Sequence, residues 1–310
     1  MDVIRNTDEI KSYMYGRKTA VALGAFDGLH IGHRAVIEKV LRQDLVPVVF
    51  TFRDNPAETL AGACRYLSTV EERLRVLESW GVKAVIMPDF SDIVGWSAER
   101  FLYMLRSELC AQVVSCGEDF SFGKKAAGNT ALLSAFCNEN GMELQITPAV
   151  LYRGERVSST RIRDAIEEGK IAEVTEMLGR PFSFEFEVVH GNHLGRTIGI
   201  PTINQPFPDG FILPRFGVYA SAVHVDGNIY CGVTNIGVKP TVGSERALSE
   251  TWLPDFSGDL YGKTLRLELL GFIRDERKFP SLEVLRGVIE ENAVTAREIY
   301  GQYVNESGAY

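Results

Sequence analysis

Gly24-Ala25-Phe26-Asp27-Gly28-Leu29-His30-Ile31-Gly32-His33 follows the apolar run Val21-Ala22-Leu23 and leads into a helical pattern. The order is strand, glycine-punctuated turn, helix start. That geometry receives a phosphate, because the first backbone N–H groups of a helix lack intrahelical partners and the helix dipole favours negative charge there. Gly24, Phe26, Asp27, Gly28 and Gly32 make the turn and are expected to bind the ATP phosphates, and His30 and His33 share one face of the first helical turn. Two imidazoles beside a phosphate can hydrogen-bond its oxygens as charge develops in transfer. Two other readings stay open at this point. The histidines could be a metal pair, for which Asp27 is the only carboxylate close in sequence. They could also be a polar helix start with no chemical role. The turn predicts an enzyme that binds a nucleoside triphosphate.

A chain of 310 residues suggests about two domains. Apolar content of 45% and charged content of 24% are those of an ordinary soluble globular protein. A net charge of -8 argues against non-specific binding to nucleic acid or to an acidic membrane surface. A small anion needs only a local cationic pocket, so ATP remains allowed. No apolar run approaches the roughly 20 residues that cross a bilayer, and Met1-Asp2-Val3-Ile4-Arg5-Asn6 does not read as a signal peptide. The 5 cysteines form no C-x-x-C pair, which fits free thiols in a reducing cytoplasm. The expected setting is therefore cytoplasmic, with no membrane and no nucleic-acid partner. Nothing in the sequence fixes an oligomeric state.

Up to residue 182 short apolar strands alternate with amphipathic helices. Strands are expected at Thr19–Leu23, Val46–Phe52, Ala84–Met87, Val113–Cys116 and Glu143–Ile146, and helices at Arg34–Leu41, Thr69–Trp80, Ala98–Glu108 and Thr130–Asn140. Alternating β and α elements imply a parallel, Rossmann-like sheet with helices on both faces, whose ligands bind at the carboxyl ends of the strands. A helix pair, Thr160–Glu168 and Ile171–Leu178, precedes Gly179-Arg180-Pro181. Then period two takes over: Phe182, Phe184, Phe186 and Val188 point one way, as do Leu265, Leu267 and Leu269. Asp226-Gly227 between apolar runs signals a hairpin. Residues 183–310 therefore read as an antiparallel β-barrel or sandwich, closed by a helix from about Ser281 to Tyr303. The expected domains are 1–182 and 183–310.

The H-x-G-H string resembles the nucleotidylyltransferase superfamily, and the form with Gly-x-Phe-Asp-Gly before it resembles the bacterial riboflavin kinase/FAD synthetase family. Two further segments carry the likeness. Gly117-Glu118-Asp119-Phe120-Ser121-Phe122-Gly123 matches the family's G-x-[DN]-F-x-F-G, and Lys124, Lys125 and Gly128 extend it into a cationic loop suited to a flavin or a phosphate tail. Ser158-Ser159-Thr160-Arg161-Ile162-Arg163 matches S-S-T-x-I-R, in which hydroxyls at a helix start and arginines make a second phosphate cradle. The resemblance implies adenylylation of FMN by ATP. His30, His33 and Arg161 would act in catalysis. Arg156, Ser159, Thr160 and Arg163 would help hold the triphosphate, and Asp119, Phe120, Phe122 and Gly123 the flavin. One departure stands out. Where the family carries Phe-x-Pro-His-Pro, this chain has Phe52-Arg53-Asp54-Asn55-Pro56, and asparagine can donate a hydrogen bond but cannot be cationic.

In the second half, His190-Gly191-Asn192-His193-Leu194-Gly195-Arg196-Thr197-Ile198-Gly199-Ile200-Pro201-Thr202-Ile203-Asn204 is dense in glycine. The Thr202 hydroxyl and Asn204 carbonyl, two apart on an extended chain, share a face and offer hard oxygens to a magnesium ion that also holds ATP phosphates. The string resembles the riboflavin kinase signature. That resemblance assigns Gly191, Gly195, Arg196, Thr197, Gly199 and Pro201 to ATP, and Thr202 and Asn204 to Mg²⁺. Glu250-Thr251-Trp252-Leu253-Pro254-Asp255-Phe256 matches E-x-H-L-x-D-F except at Trp252 and makes Glu250 the base for the acceptor hydroxyl. Asn235 and Arg274 fall in further matching segments and are assigned to the flavin. The P-loop-like Gly258-Asp259-Leu260-Tyr261-Gly262-Lys263-Thr264 is one residue short and precedes a strand pattern, so it is set aside.

The whole reading is a bifunctional enzyme that takes riboflavin to FMN and FMN to FAD with ATP and Mg²⁺. The alternatives are a riboflavin kinase whose N-terminal domain is inactive or altered in specificity, and a flavin-binding regulator that releases no product.

Overall fold

The computed structural model describes residues 1–42, 44–54, 65–191, 195, 199–241 and 244–307. The chain separates into two compact units, Met1–Ser159 and Thr160–Tyr310.

In the first unit β1 (Asp2–Ile4), β2 (Thr19–Leu23), β3 (Val46–Phe50), β4 (Ala84–Ile86), β5 (Ala111–Gly117) and β6 (Glu143–Thr147) form one sheet. The strands are parallel throughout and lie in the order β1-β4-β3-β2-β5-β6. All five residues of β2 are buried, as expected of a strand covered on both faces. Val21 and Leu23 enter one apolar cluster with Phe101 and Leu105, while Ala20 and Ala22 enter another with Ile37 and Leu77. The connecting helices are α1 (Ile31–Leu41), α2 (Val70–Ser79), α3 (Ala98–Tyr103) and α4 (Thr130–Glu139). Side-chain oxygens of Thr69, Ser97 and Asn129 cap the last three by accepting from Glu72, Arg100 and Leu132 N–H. The periodicity predicts a single helix to Glu108, but α3 widens into a π turn over Met104–Glu108. β2 has β3 on one side and β5 on the other, so the order reverses there, and such reversals place a crevice at the strand ends. The short strand β1 and the helical turns Thr7–Glu9 and Ile10–Met14 were not foreseen.

The second unit opens with α5 (Ser159–Glu167) and α6 (Ile171–Leu178), followed by β7 (Phe182–Glu187), β8 (Thr202–Pro206), β9 (Gly217–Val225), β10 (Asn228–Thr241), β11 (Ser244–Trp252) and β12 (Thr264–Arg274). α6 packs on β7 and β12, and compactness divides the chain near Ser159 while the change in sequence texture comes at 182/183. The strands run antiparallel in the order β7-β12-β9-β10-β11-β8. A bridge from Val189 to Asn204, with Val189 N–H donating to the Asn204 carbonyl at 2.8 Å, draws the two edges together and curls the sheet toward a barrel. Phe182, Phe184, Phe186, Leu265, Leu267 and Leu269 are all buried on the inner face, as their alternation predicts. The Asp226-Gly227 turn has φ of 50° and 84°, the two left-handed residues of a type I′ hairpin. The closing helix α7 (Leu282–Ser307) lays Ala293, Ala296 and Ile299 on the outer face at Val218, Ala220, Cys231 and Val233. The fold is thus a parallel α/β sheet followed by an antiparallel barrel with a terminal helix.

One polar cluster ties α7 to the barrel. Glu268, 3% exposed, accepts from Tyr303 OH at 2.8 Å and from Arg266 Nη2 at 2.6 Å, with His224 Nε2 at 3.3 Å. Burial pushes the Glu268 carboxyl up, but the His224, Arg266 and Tyr303 contacts outweigh it and hold the group below its ordinary value. A carboxyl with a depressed folded-state pKa stabilises above its unfolded pKa of about 4.3 and loses that contribution as pH falls through the folded value. Glu268→Gln removes the buried carboxylate that the half-buried Arg266, His224 and Tyr303 share and is expected to cost about 2 kcal/mol. Denaturant unfolding followed across pH 3 to 7 should show a lower midpoint for the second unit near neutrality and a smaller gap from the parent at acid pH. An equal gap at every pH would remove Glu268 ionisation from the account.

Candidate active sites

The carboxyl ends of β2 and β5 open into a cleft of about 660 Å³ lined entirely by residues between Leu23 and Ser159. Its floor is the turn from β2 to α1. Phe26, Gly28 and Leu29 have φ of 51°, 80° and 45°, so three left-handed residues reverse the chain within four positions. Gly28 has a second reason to lack a side chain, since a Cβ there would meet Leu67 Cδ1 at 2.7 Å. Asp27 Oδ1 accepts from Leu67 N–H at 3.0 Å, and the Asp27 carbonyl accepts from Ser159 Oγ at 2.9 Å. Thr51 Oγ1 donates to the Ala25 carbonyl at 2.8 Å. Gly24, Phe26 and Gly32 line the cleft, whereas Asp27 and Gly28, expected on the ATP phosphates, shape the turn instead and do not line it.

His30 is the N-cap of α1. Its Nδ1 accepts from His33 N–H at 3.2 Å, which puts the proton of the neutral ring on Nε2. The two imidazoles stack with centroids 3.5 Å apart, and Phe26 meets His33 edge-on at 5.3 Å. His30 is buried and His33 half-buried, and both line the cleft with Gly24, Gly32 and Ser159. Among the described residues no group of three or more histidine, cysteine, aspartate or glutamate side chains could hold a metal, so the metal-pair reading gains nothing.

The opposite wall is aromatic. Phe120 and Phe122 lie with ring centroids 5.8 Å apart, and Phe101 packs on Phe122 at 4.9 Å. Phe50, Phe52, Phe90 and Trp96 continue the wall. Sequence reasoning found the first pair and missed the rest, which come from separate elements and carry no motif. Asp119 and Arg156, expected on the flavin and the triphosphate, are joined to each other by an ion pair of 2.6 Å. Thr160, Arg161 and Arg163 belong to the second unit. Asn55 and Pro56 lie outside the described residues. Burial pushes the Cys116 thiol, beneath this cleft, up to about 12, so it offers no nucleophile at neutral pH.

In the second unit strand register does the gathering. Asn204 on β8 pairs with Glu250 on β11, Glu250 with Asn235 on β10, Asn235 with Val218 on β9, and Val218 with Arg274 on β12. Directly paired residues point to the same side of a sheet. Asn204, Glu250 and Asn235 thus stand side by side on the outer face, the face that α7 covers further along, and Arg274 ends the row. Thr202 is two residues from Asn204 on the same face. Gly191 packs on Asn204, where a Cβ would come within 2.6 Å of the amide. Gly195 is required by the Ile200 carbonyl, which would lie 2.2 Å from a Cβ, and Gly199 has φ of 76°. Pro201 is exposed beside Thr202. Arg196 and Thr197 lie outside the described residues.

Asn235 Nδ2 donates to Glu276 Oε1 at 3.2 Å, and Arg274 Nε donates to Asn292 Oδ1 at 3.3 Å. Sequence reasoning missed Glu276 and Asn292, which follow no spacing rule relative to the row. β12 follows Lys263 directly, so the P-loop-like string opens a strand and not a helix.

Comparison with known proteins gives a family match for each half of the chain. Residues 13–161 match the FAD synthetase family model, and residues 178–300 match the riboflavin kinase model. The bifunctional riboflavin kinase/FMN adenylyltransferase of Escherichia coli K12 is 36% identical over 91% of this chain and 92% of its own length. That of Haemophilus influenzae is 33% identical over 97% and 99%. A crystal structure described as a macrolide-efflux protein from Streptococcus pneumoniae is 31% identical, with a TM-score of 0.86 over 95% of this chain and 98% of that one. Among the described residues no helix is long and apolar enough to cross a membrane. With its two halves matched in order and its relatives aligned nearly end to end, the chain belongs to the bifunctional riboflavin kinase/FMN adenylyltransferase family.

Proposed function

We propose that riboflavin is phosphorylated along the row of Asn204, Glu250 and Asn235, and that the FMN formed is adenylylated in the cleft floored by His30 and His33. The enzyme is a riboflavin kinase and an FMN adenylyltransferase, as its family is. The observation that carries the kinase assignment is the register that brings Asn204, Glu250 and Asn235 onto one face from three strands.

In the kinase step the terminal hydroxyl of riboflavin attacks the γ-phosphorus of ATP. Glu250 accepts the hydroxyl proton, and Asn235 and Arg274 orient the flavin. Thr202 Oγ1 and Asn204 Oδ1 are hard oxygen donors of the kind that suit Mg²⁺, and the bare Gly191 beside Asn204 leaves room that a side chain would fill. A magnesium ion held there supplies charge neutralisation for the phosphate oxygens. In the adenylyl step a phosphate oxygen of FMN attacks the α-phosphorus of ATP and pyrophosphate leaves. The protein supplies no covalent nucleophile. His33, His30 and the N–H groups that open α1 receive the phosphate charge, and the aromatic wall takes the flavin ring. Cys110, Cys116, Cys137 and Cys231 are free thiols, which supports a cytoplasmic setting where ATP is supplied.

Purified protein given riboflavin, ATP and Mg²⁺ should yield FMN and then FAD by chromatography, with both steps stopped by EDTA. FMN that accumulates without FAD, even when FMN is supplied, would favour the reading in which Asn55 has cost or redirected the adenylyl step. Glu250→Gln should lower kinase turnover by about 10²- to 10⁴-fold, the range for a general base. It should leave adenylylation of supplied FMN unchanged. His33→Ala should do the reverse, lowering pyrophosphate release by roughly 10²-fold or more with kinase turnover intact. Parallel losses in both activities for either variant would count against two separate sites.

A further inference from the structure

The loop between Phe122 and Gly128, which its sequence marks as cationic, holds a lysine, Lys125, whose ligand the matched motif, ending at Gly123, does not specify. Ser121–Phe122 and Gly128–Asn129 pair as a small antiparallel ladder, and residues 123–127 form its tip. The tip is clamped from below. Lys124 N–H donates to the Trp96 carbonyl at 2.6 Å, and Ala126 N–H to the Gly123 carbonyl at 3.0 Å. Gly123 lies so close to α3 that a Cβ would meet Ala98 N at 2.8 Å. Gly128 faces the Phe122 ring, which a Cβ would meet at 2.5 Å.

Within this clamp Lys125 and Ala126 have φ of 56° and 55°. Successive left-handed L-residues are disfavoured, and such backbone persists only where its surroundings over-determine it, commonly at ligand sites. A glycine would adopt this conformation more cheaply. Lys125 occupies the position, and it lines the cleft.

The other charged side chains of the lining are already engaged. Asp119 is paired with Arg156, and Glu118 Oε1 accepts from Ala149 N–H at 3.2 Å. Among the lysines and arginines that line the cleft, Lys125 is the one with no carboxylate partner among the described residues. A cation held at a cleft wall, on a tethered tip and with no internal anion to meet, is arranged for an anion that arrives from outside. Both reactants carry phosphate.

We infer that Lys125 recognises phosphate in this cleft, its ammonium meeting a phosphate group of FMN or of ATP. The inference rests on reading the cleft as the adenylyl-transfer site. It adds a specificity residue outside the histidine motif: the cation favours phosphorylated flavin or nucleotide over neutral compounds of the same shape.

Three variants of the full-length enzyme test it, with pyrophosphate release measured while FMN and ATP are varied in turn. Lys125→Gln removes the charge and keeps a left-handed side chain. Lys125→Gly removes the charge and lets the backbone relax. Lys125→Arg keeps the charge. Gln and Gly should each raise KM for one phosphate substrate by roughly 5- to 30-fold, the worth of a charge-assisted contact. Arg should stay near the parent, and riboflavin kinase turnover, the internal check on folding, should not move. A rise confined to FMN assigns the contact to the monoester, and a rise confined to ATP assigns it to the triphosphate. Unchanged KM for both substrates in Lys125→Gln overturns the inference, as does a Gly variant that restores the parent KM, which would put the effect in the backbone. His33→Ala run in parallel separates the two levels. If it too leaves pyrophosphate release intact, the cleft assignment has failed and not the role of Lys125 alone.

Discussion

The reversal at Gly24–His30 is the constraint on which the first unit depends. β2 is buried along its whole length, and α1 begins only a few residues after it ends. The chain must turn sharply while its polar groups lose water. Polar groups of the turn are met from separate parts of the sequence: Thr51 at the Ala25 carbonyl, Leu67 at the Asp27 carboxylate, Ser159 at the Asp27 carbonyl and Ser68 at Gly28 N–H. Three distant segments are thereby pinned around one turn. A buried polar group left without a partner costs about 1–3 kcal/mol. The turn and its anchors therefore stand or fall together, and the phosphate-receiving end of α1 is fixed without a dedicated loop.

The second unit meets a different demand. Its site residues come from strands far apart in sequence and coincide only because the register is right. A slip of one residue would send Asn204, Glu250 or Asn235 to the inner face. The inner face resists a slip through hydroxyls as well as through apolar packing. Ser221 Oγ and Thr234 Oγ1 lie 2.7 Å apart, and Thr234 Oγ1 and Thr251 Oγ1 2.8 Å apart, linking β9, β10 and β11 in a buried row. Thr251 and Thr234 are directly adjacent in sequence to Glu250 and Asn235. The inner row fixes the alignment that the outer row uses.

Much of this could be read from sequence, and the limits have physical causes. Strands with an unbroken apolar run or strict alternation, and helices with a capping residue, came out close to their observed bounds, because periodicity and caps are local. β1 escaped because three residues give no period. The aromatic wall escaped because Phe52, Phe90, Trp96 and Phe101 converge only after the sheet forms. The motifs named Asn204, Asn235, Glu250 and Arg274 singly, but spacing along a chain says nothing about pairing across strands. Asp119 and Arg156 were assigned to separate ligands, and a partner so far along the chain cannot be foreseen from either motif.

The end of β3 shows how tertiary contacts override a local pattern. The apolar run predicts a strand through Phe52, yet the ladder stops at Phe50. Past that point Arg73 on α2, which is buried, donates to the Phe52 carbonyl at 2.7 Å and to the Arg53 carbonyl at 2.5 Å. Burial pushes its pKa down, and the nearby Asp27 and Asp54 carboxylates offset part of that cost. Beyond Phe50 the Thr51 and Arg53 N–H groups still donate to the Ile86 and Pro88 carbonyls at 2.9 and 3.0 Å, but Pro88 has no N–H to donate in return, so the ladder ends there. Asp54 then accepts from Phe90 N–H at 2.7 Å, and Arg53 pairs with Asp89. The rim of the cleft up to Asp54 is thus held by Arg73, Phe90 and Asp89, none of which belongs to the family string. The shape of that rim does not depend on whether a proline and a histidine follow, and the departure at Asn55 changes the chemistry offered there while the support up to Asp54 stays in place.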